Sequence, residues 1–252
     1  MFTRATFLAI SVGSMLVGCI GQDETEETID NLKQAGFPAD DIMVVDGEVY
    51  VGRDALVTLE ASREMLQSAD TTEEQYRTNN LVGSGIGTIC ISPSSGFTGL
   101  LSTGLDLAIE NYNQLGLQFT LVRASSGCDA TIKGVIKPGL VGGSSGFPKG
   151  GRPYRQINIG DGIVQFGVDV IEHVITHEIG HTVGMRHSDY FDRSISCGGS
   201  PANEGEGNIG AIHIPGTPTG ATVGGSVMNS CFRSSESGEW SSSDRTALQT
   251  LY

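Results

Sequence analysis

Residues 171–189 read IEHVITHEIGHTVGMRHSD, and the rest of the chain is organised around them. His177 and His181 are one helical turn apart, so a helix presents both imidazoles on the same face. Glu178 follows the first histidine directly, where a carboxylate lies beside a metal-bound water rather than on the metal. This is the HExxH arrangement, which combines two neutral nitrogen ligands for Zn²⁺ with a carboxylate that accepts a proton from water.

The residues after this helix extend the pattern to a third ligand. Gly184 lies three residues after His181, where a helix ends and the chain turns with positive φ. That turn returns His187 toward the other two histidines. Three nitrogen ligands leave the fourth tetrahedral position to water, which is the open geometry of a catalytic zinc. The alternative is a buried amphipathic helix with incidental histidines, and it requires all these residues to coincide by chance.

The full string H-E-x-x-H-x-x-G-x-x-H resembles the metzincin metallopeptidases. The literal HEIGH at 177–181, followed by RHSD, is most similar to the bacterial dual-action HEIGH metallopeptidases, and the serine after the third histidine is also similar to the matrixins. The stretch Ser226-Val227-Met228-Asn229 resembles the methionine turn that metzincins place beneath the zinc. Met228 as simple core filling is the alternative. The resemblance covers residues 25–252.

This resemblance implies an α+β fold and a mechanism. The expected catalytic domain has a twisted sheet with a backing helix and a zinc helix above a cleft, and a small irregular lower half closed by a C-terminal helix. One catalytic Zn²⁺ is expected on His177, His181 and His187, with Glu178 as general base and polypeptides as substrates. An edge strand of such a sheet pairs with extended substrate. Some metzincins carry a further tyrosine ligand after the methionine turn, but Asn229 follows Met228 here, so no such ligand is carried over.

The charge distribution excludes one class of partner. The net charge is −14, and residues 22–80 hold 15 acidic against 4 basic residues. No basic face is available for nucleic acid, so we expect no such partner. We expect a monomer.

The N-terminus predicts export. Arg4 precedes an apolar run at residues 5–17 that is too short for a permanent membrane span and is typical of a secretory signal. The run ends in Leu-Val-Gly-Cys19, which resembles a bacterial lipobox, so residues 1–18 are predicted as a lipoprotein signal peptide and Cys19 as the lipidated residue. An ordinary signal peptide with a chance cysteine is the alternative. Lipidation would make the protein a cell-envelope lipoprotein with no other membrane attachment.

The remaining four cysteines predict two disulfides. Three pairings are open, and a zinc site of four thiolates is a competing hypothesis that lacks any C-x2-C spacing. We favour Cys90–Cys128 and Cys197–Cys231, which keep one bridge on each side of the zinc helix.

Residues 19–80 are predicted to precede the catalytic domain, which spans 81–252. An acidic tether (19–27) leads into a small α/β unit with a helix ending at Gly36, a hairpin at 43–51 around Asp46-Gly47, a second helix at 60–67, and a polar linker at 69–80. We interpret residues 28–80 as a prosegment and linker, and a cut in the linker would shed an active enzyme. The stretch 50–54 loosely resembles the aspartate switch of astacins, since a carboxylate such as Asp54 can take the open zinc position. A plain surface aspartate is the alternative.

Periodicity predicts the order of elements in the catalytic domain. The predicted elements are strands at 87–92, 117–121, 129–136 and 155–159, a helix at 101–115, the zinc helix from 168, a loop at 138–153, an irregular stretch at 197–225, and a C-terminal helix at 245–251.

Three other polar residues leave alternatives open. His173 shares a helix face with His177 but is predicted as a core or supporting residue. His213 is predicted in a surface loop, with a specificity contact as the alternative. Three roles are open for Asp189: it braces the site, it binds a structural ion, or it is a solvated loop carboxylate. A structural Ca²⁺ is one such ion, but no sequence pattern supports it.

Two other functions compete with an endopeptidase. The first is a zinc hydrolase that acts on a non-protein substrate, because the HExxH pattern indicates the metal and not the substrate. A catalytically silent surface lipoprotein is the other, although a structural zinc has no need of Glu178.

Overall fold

The computed structural model describes the chain except residues 1–19, 36, 66–74, 206–209 and 219. The predicted signal peptide, Cys19 and Gly36 therefore lie outside the described residues. Within the described part of the chain, no helix has both the length and the apolar content to cross a membrane.

Six helices and ten strands are found in the described ranges, with a 3-10 helix at Asp161–Phe166. The helices are α1 (Ile20–Gln34), α2 (Leu59–Met65), α3 (Gly99–Asn113), α4 (Val168–Thr182), α5 (Ser194–Cys197) and α6 (Ser242–Leu251). The strands are β1 (Met43–Val45), β2 (Glu48–Val51), β3 (Ala55–Val57), β4 (Tyr76–Arg77), β5 (Thr88–Pro93), β6 (Thr120–Arg123), β7 (Ala130–Lys137), β8 (Gly143–Gly146), β9 (Gln156–Gly160) and β10 (Ile212–His213).

Eight strands form one sheet in the order β1-β2-β3-β8-β9-β7-β5-β6. The pairs β6/β5, β5/β7 and β7/β9 are parallel, whereas β8 runs antiparallel to β9. Helices α3 and α4 pack against each other, and α4 also contacts β8 and β9. Isoleucines on the strands and on α4 fill the main core, namely Ile89, Ile91, Ile132, Ile157, Ile159, Ile171, Ile175 and Ile179. This is the α+β organisation that the sequence predicted.

The N-terminal unit has a core of its own but shares the sheet. Leu32 of α1 packs with Val49, Val51 and Val57 of the strands, and Phe147 joins this cluster from the chain after β8. Strands β1 and β2 form the predicted hairpin, and its turn residues Asp46 and Gly47 have φ values of 53° and 82°. Strand β3 then pairs in parallel with β8. The unit thus extends the catalytic sheet at its β8 side.

The predicted acidic tether is wrong as a description of residues 20–27, because they belong to α1. The described acidic side chains of this stretch are mainly exposed, while Thr28 and Leu32 are buried. A single buried stripe is enough to stabilise a helix whose other faces are charged.

The predicted polar linker is also wrong at its C-terminal end. Residues 66–74 lie outside the description, but Tyr76 and Thr78 are buried, and β4 pairs with β10. The Tyr76 ring packs edge-on against Tyr190 at 4.3 Å, and the side-chain amide of Gln75 donates to the Asp244 carboxylate at 3.0 Å. The polar composition concealed a strand whose partner is far away in the sequence.

The predicted loop at 138–153 contains strand β8. The strand was not predicted because glycine usually indicates a loop, whereas these glycines are required by close packing. A Cβ at Gly143 would lie 2.5 Å from Oε1 of Glu178, and one at Gly146 would lie 2.7 Å from the carbonyl oxygen of Leu56. Close neighbours on both sides of the strand therefore require glycine where sequence patterns indicate a loop. A smaller correction applies to the strand predicted from Leu117, which begins only at Thr120.

The two disulfides join Cys90 to Cys128 and Cys197 to Cys231, the two favoured pairs. The first ties β5 to the chain before β7, and the second lies in the irregular lower half after α4. Helix α6 begins with a capping box between Ser241 and Asp244.

Candidate metal centre

Three histidine side chains converge at the C-terminal end of α4. Nε2 of His187 lies 3.2 Å from Nε2 of His181 and 3.3 Å from Nε2 of His177. All three residues are buried. The structure thus brings together the three predicted ligands, with their Nε2 atoms facing one point.

Local sequence explains this convergence. Residues 177 and 181 are one turn apart on α4, and Gly184 reverses the chain with a φ of 105°. A Cβ at Gly184 would also lie 2.9 Å from the carbonyl oxygen of Asn80, so both the turn and its packing require glycine. The reversed chain then carries His187 back over the helix end.

Backbone carbonyls orient the two ligands on α4. Nδ1 of His177 pairs with the carbonyl of Val227 at 2.8 Å, and Nδ1 of His181 pairs with the carbonyl of Met185 at 2.8 Å. A carbonyl can only accept, so each Nδ1 carries the proton and each Nε2 lone pair is left for a metal. Burial, together with the neighbouring His177, holds the pKa of His181 well below its usual range, so that ring is neutral, as a ligand must be.

Asp54 completes the group. Its Oδ2 lies 3.2 Å from Nε2 of His187 and 3.6 Å from Nε2 of His177, and its Oδ1 lies 3.7 Å from Nε2 of His181. Burial raises the pKa of Asp54, but the facing histidines, His187 first among them, outweigh burial and hold that pKa well below its usual range. The structure therefore places Asp54 opposite the three histidines and in its ionised form.

The donor set fits a zinc ion. The four ligand atoms lie within 4.8 Å of one another. Two zinc–nitrogen bonds of about 2.0–2.1 Å at a tetrahedral angle hold their nitrogens about 3.3–3.4 Å apart. The measured separations of 3.2 and 3.3 Å agree with that value. Three imidazoles and one carboxylate form a set that suits zinc.

Glu178 lies beside the ligands with one carboxyl oxygen unpaired. Its Oε2 is buried and has no hydrogen-bond partner in the described part of the chain. Burial, with the charge of Asp54 as a further cause, raises the pKa of Glu178 well above its usual range. The hydroxyl of Ser145 donates to the main-chain oxygen of Glu178 at 2.9 Å, which ties α4 to β8. Glu178 also lines the cavity that opens beside the three histidines.

Met228 lies directly under α4 and is fully buried. A Cβ at Gly180 would lie 2.6 Å from Sδ of Met228, so the methionine fills the space below the helix between the two ligand positions. The carboxylate of Asp244 holds this turn by accepting from the Val227 amide at 3.0 Å and from the Ser226 hydroxyl at 2.5 Å. The turn thus supports the metal centre from below, and the carbonyl that orients His177 belongs to it.

The other polar candidates have separate places. Nδ1 of His173 lies 4.0 Å from Glu236, and burial lowers the pKa of His173 to about 4. His213 contacts Thr217 and is not part of the metal-ligand group. Asp189 accepts four hydrogen bonds from Ser196 and Ser230, two from each, so its carboxylate braces the two loops.

A cavity of about 310 Å³ opens beside the centre. Arg53 and Asp54 bound it on one side, and His173, Val174 and Phe232 bound it on another. It is large enough for a single side chain of a bound ligand.

One part of the centre was missed by the sequence reasoning. Glu204 is buried, and its Oε1 lies 2.6 Å from Nδ1 of His187. It belongs to the stretch 197–225, which carries no helical or strand periodicity. A lone glutamate in such a stretch has no sequence signal that would distinguish it from a solvated residue.

The solved structures similar to this chain include two of myroilysin and one of a zinc-protease. A structure of myroilysin has 16% identity and a TM-score of 0.39, with 66% of this chain and 84% of that chain covered. High choriolytic enzyme 1, a hatching enzyme zinc-protease from Oryzias latipes (Medaka fish), has 19% identity and a TM-score of 0.36, with coverages of 59% and 70%. A second myroilysin structure has 16% identity and a TM-score of 0.30, with 40% of this chain covered, and the match spans only 43% of that structure's length.

The sequence comparisons define the family. No curated protein matches the chain. The sequence profile of the dual-action HEIGH metallopeptidases matches residues 49–252. That match covers most of the chain and includes Asp54, the three histidines and Met228. The chain therefore belongs to the dual-action HEIGH metallopeptidase family.

Proposed function

We propose that this protein is a zinc-dependent endopeptidase that its own N-terminal segment holds latent. The observation that carries the proposal is the convergence of three Nε2 atoms beside a glutamate whose buried Oε2 has no hydrogen-bond partner among the described residues. His177, His181 and His187 would hold the metal. When bound, Zn²⁺ polarises the scissile carbonyl and lowers the pKa of a water molecule.

Glu178 performs the proton transfers. In its ionised form Glu178 accepts a proton from the water that attacks the carbonyl carbon, and the new carbon–oxygen bond replaces the carbonyl π bond. Glu178 then donates that proton to the peptide nitrogen as the carbon–nitrogen bond breaks. The products are a carboxyl group and an amine, and Glu178 returns to its starting state.

Strand β8 is the docking edge for an extended polypeptide. It lies next to α4, and Ser145 of β8 is bonded to the backbone of Glu178. An extended peptide that paired with β8 would pass the catalytic residues with its backbone fixed by ladder hydrogen bonds. The cavity lined by Val174 and Phe232 would take one of its side chains.

In the full chain the N-terminal segment occupies both positions. Ala55 and Leu56 of β3 pair with Ser145 and Gly146 of β8, and the Ser145 amide donates to the carbonyl of Asp54 at 3.0 Å. The Asp54 carboxylate takes the place beside the histidines that water needs. Residues 28–80 would thus act as a prosegment that blocks the strand edge and the metal together.

Location would be coupled to this latency. A lipid on Cys19 would anchor the N-terminal segment to the bacterial cell envelope, and neither disulfide crosses from that segment to the catalytic residues. A cut in the linker at 69–80 would release the enzyme from its anchor. Because residues 75–78 are packed, we place the cut before Gln75. Fractionation of expressing cells and N-terminal sequencing of the active species test this, and active enzyme found only in membranes and still starting at Cys19 would refute it.

Hydrolysis of an unstructured protein by purified enzyme tests the catalytic proposal. The cut protein should cleave it, a chelator should stop cleavage, and added zinc should restore it. Glu178→Gln should retain zinc and lose roughly 10²–10⁴-fold or more in kcat, as the loss of a general base does. His213→Ala, outside the metal-ligand group, is the matched control. Hydrolysis that survives in Glu178→Gln would remove Glu178 as the base, and a zinc-loaded wild type that cleaves no peptide would favour a binding protein.

A further inference from the structure

The three histidines of the metal centre differ in what holds them. His177 and His181 each pair with a backbone carbonyl, whereas His187 pairs with the carboxylate of Glu204 at 2.6 Å. We propose that Glu204 is a positioning residue that sets the orientation and donor strength of His187 as a metal ligand. The proposal rests on the metal site of the proposed function, and it adds a residue that the HExxH pattern does not include.

The chemistry of the pair is directional. A carboxylate can only accept, so Nδ1 of His187 donates to Glu204, and Nε2 is the nitrogen left to bind the metal. A negatively charged acceptor also stabilises the positive charge that the ring gains when a metal binds. Nε2 of His187 therefore binds the metal more strongly than it would if Nδ1 were paired with a carbonyl. His187 comes from a loop after Gly184 and not from the rigid helix, so it is the ligand whose orientation α4 does not fix.

Glu204 is itself fixed by contacts within the catalytic residues. Nη2 of Arg186 lies 3.5 Å from its Oε2, and the hydroxyl of Ser230 donates to its Oε1 at 3.2 Å. Its main-chain amide donates to the carbonyl of Tyr190 at 2.8 Å. These partners all lie after residue 81, so Glu204 keeps its position when the N-terminal segment leaves.

The N-terminal segment reaches the same cluster from the other side. Nη1 of Arg193 lies 2.9 Å from Oδ1 of Asp41, and Nε of Arg193 lies 3.9 Å from Oε1 of Glu204. The other oxygen of Asp41 accepts from the Gly52 amide at 2.9 Å, two residues before Asp54. Two arginines therefore balance two carboxylates in the full chain, and Glu204 is the carboxylate that stays with the metal centre.

A purely structural role for Glu204 would be to neutralise buried Arg186, and the test must separate the two roles. Full-length protein is made as wild type, Glu204→Gln and Glu204→Asp, with exposed Glu239→Gln as the matched control. Glutamine keeps the shape and an oxygen acceptor but removes the charge. Zinc affinity is measured by competition with a chelator, the Co²⁺-substituted proteins are compared by visible absorption, and the metal-free proteins are compared by thermal unfolding.

We expect Glu204→Gln to bind zinc about 10- to 100-fold more weakly, the range for losing such a partner of a metal-bound histidine. Its Co²⁺ absorption bands should shift, while Glu239→Gln matches the wild type in both. Glu204→Asp, with its charge retained, should recover part of the affinity. Unchanged zinc affinity and an unchanged Co²⁺ spectrum in Glu204→Gln would overturn the proposal, even if metal-free unfolding shows a loss of stability.

A measurement on the wild type serves if the variants do not fold. Proton NMR of the zinc-loaded protein should show a far-downfield Nδ1–H resonance for His187, as a short bond to a carboxylate requires, and its absence would overturn the proposal. Failure of the proposed function is distinguishable. A wild type that binds zinc but cleaves no peptide refutes the peptidase and not Glu204, whereas a wild type that binds no zinc refutes both.

Discussion

The latency of the full chain depends on Asp54, and Asp54→Ala in the uncut protein is the most direct perturbation of it. The side chain faces all three histidines, with oxygen–nitrogen distances of 3.2–3.7 Å. We take the contact of this charged side chain with the metal centre to contribute as much as a hydrogen bond to a charged group, about 1.5–3 kcal/mol. Since 1.4 kcal/mol corresponds to a factor of ten, we expect the open fraction to rise about 10- to 150-fold.

Activity should nevertheless remain below that of the cut enzyme. The β3–β8 pairing, the buried Asp41–Arg193 ion pair and the apolar cluster around Val51 all survive this substitution. Alanine removes the carboxylate and leaves the segment docked most of the time. The increase should therefore appear as a higher kcat of the uncut protein, with its unfolding temperature lowered by roughly 3–12 °C.

The assay is cleavage of an unstructured protein by uncut enzyme, with protein integrity checked by mass before and after. Wild type, Asp54→Ala and Asp40→Ala are compared, and the last is an exposed aspartate in a nearby turn that serves as control. Two results would contradict a role of Asp54 in latency. Asp54→Ala could remain as latent as the wild type, or the uncut wild type could already be as active as the cut form.

Three further predictions follow from the site and the core. His187→Ala should reduce zinc content after dialysis to a small fraction of the wild-type value by metal analysis, and full retention would contradict the three-histidine site. Burial raises the pKa of Glu172 from 4.5 to about 7, so the folded protein holds this proton more tightly than the unfolded chain does. The free energy of unfolding is therefore highest below pH 4.5 and falls as the pH rises through 7. Glu172→Gln should raise the unfolding free energy by about 1–3 kcal/mol at pH 8, measured by denaturant unfolding, and should remove this pH dependence. Met228→Ala should cost about 2–5 kcal/mol of unfolding free energy, and Met228→Leu less than about 1.5 kcal/mol, with equal costs arguing against a packed position.

The zinc helix could be predicted because its information is local. Helical spacing places His177 and His181 on one face. Gly184 has a positive φ and no room for a Cβ, and only glycine satisfies both conditions. The hairpin at Asp46 follows from turn chemistry in the same way. Each of these features depends on residues within about one or two turns of one another.

The features that the sequence did not predict depend on residues that are distant along the chain. Gly143 indicates a loop by composition, yet it is a strand residue because Glu178 leaves no room for a Cβ. Tyr76 belongs to a polar stretch and is buried because Tyr190 packs against it and β10 pairs with its strand. Glu204 acquires its role from His187, which precedes it by a long irregular segment. Composition and periodicity carry no information about partners that the chain brings together only by folding.

The pairing of β3 with β8 also has a consequence for solubility. If β3 leaves, β8 presents unpaired amides and carbonyls along an open edge, and Phe147 loses its apolar neighbours Val51 and Val57. An open strand edge beside an apolar patch is a template on which other chains, including further copies of the same enzyme, can add strands. The released form should therefore be the more aggregation-prone one at high concentration, and the intact chain the form suited to accumulation and storage.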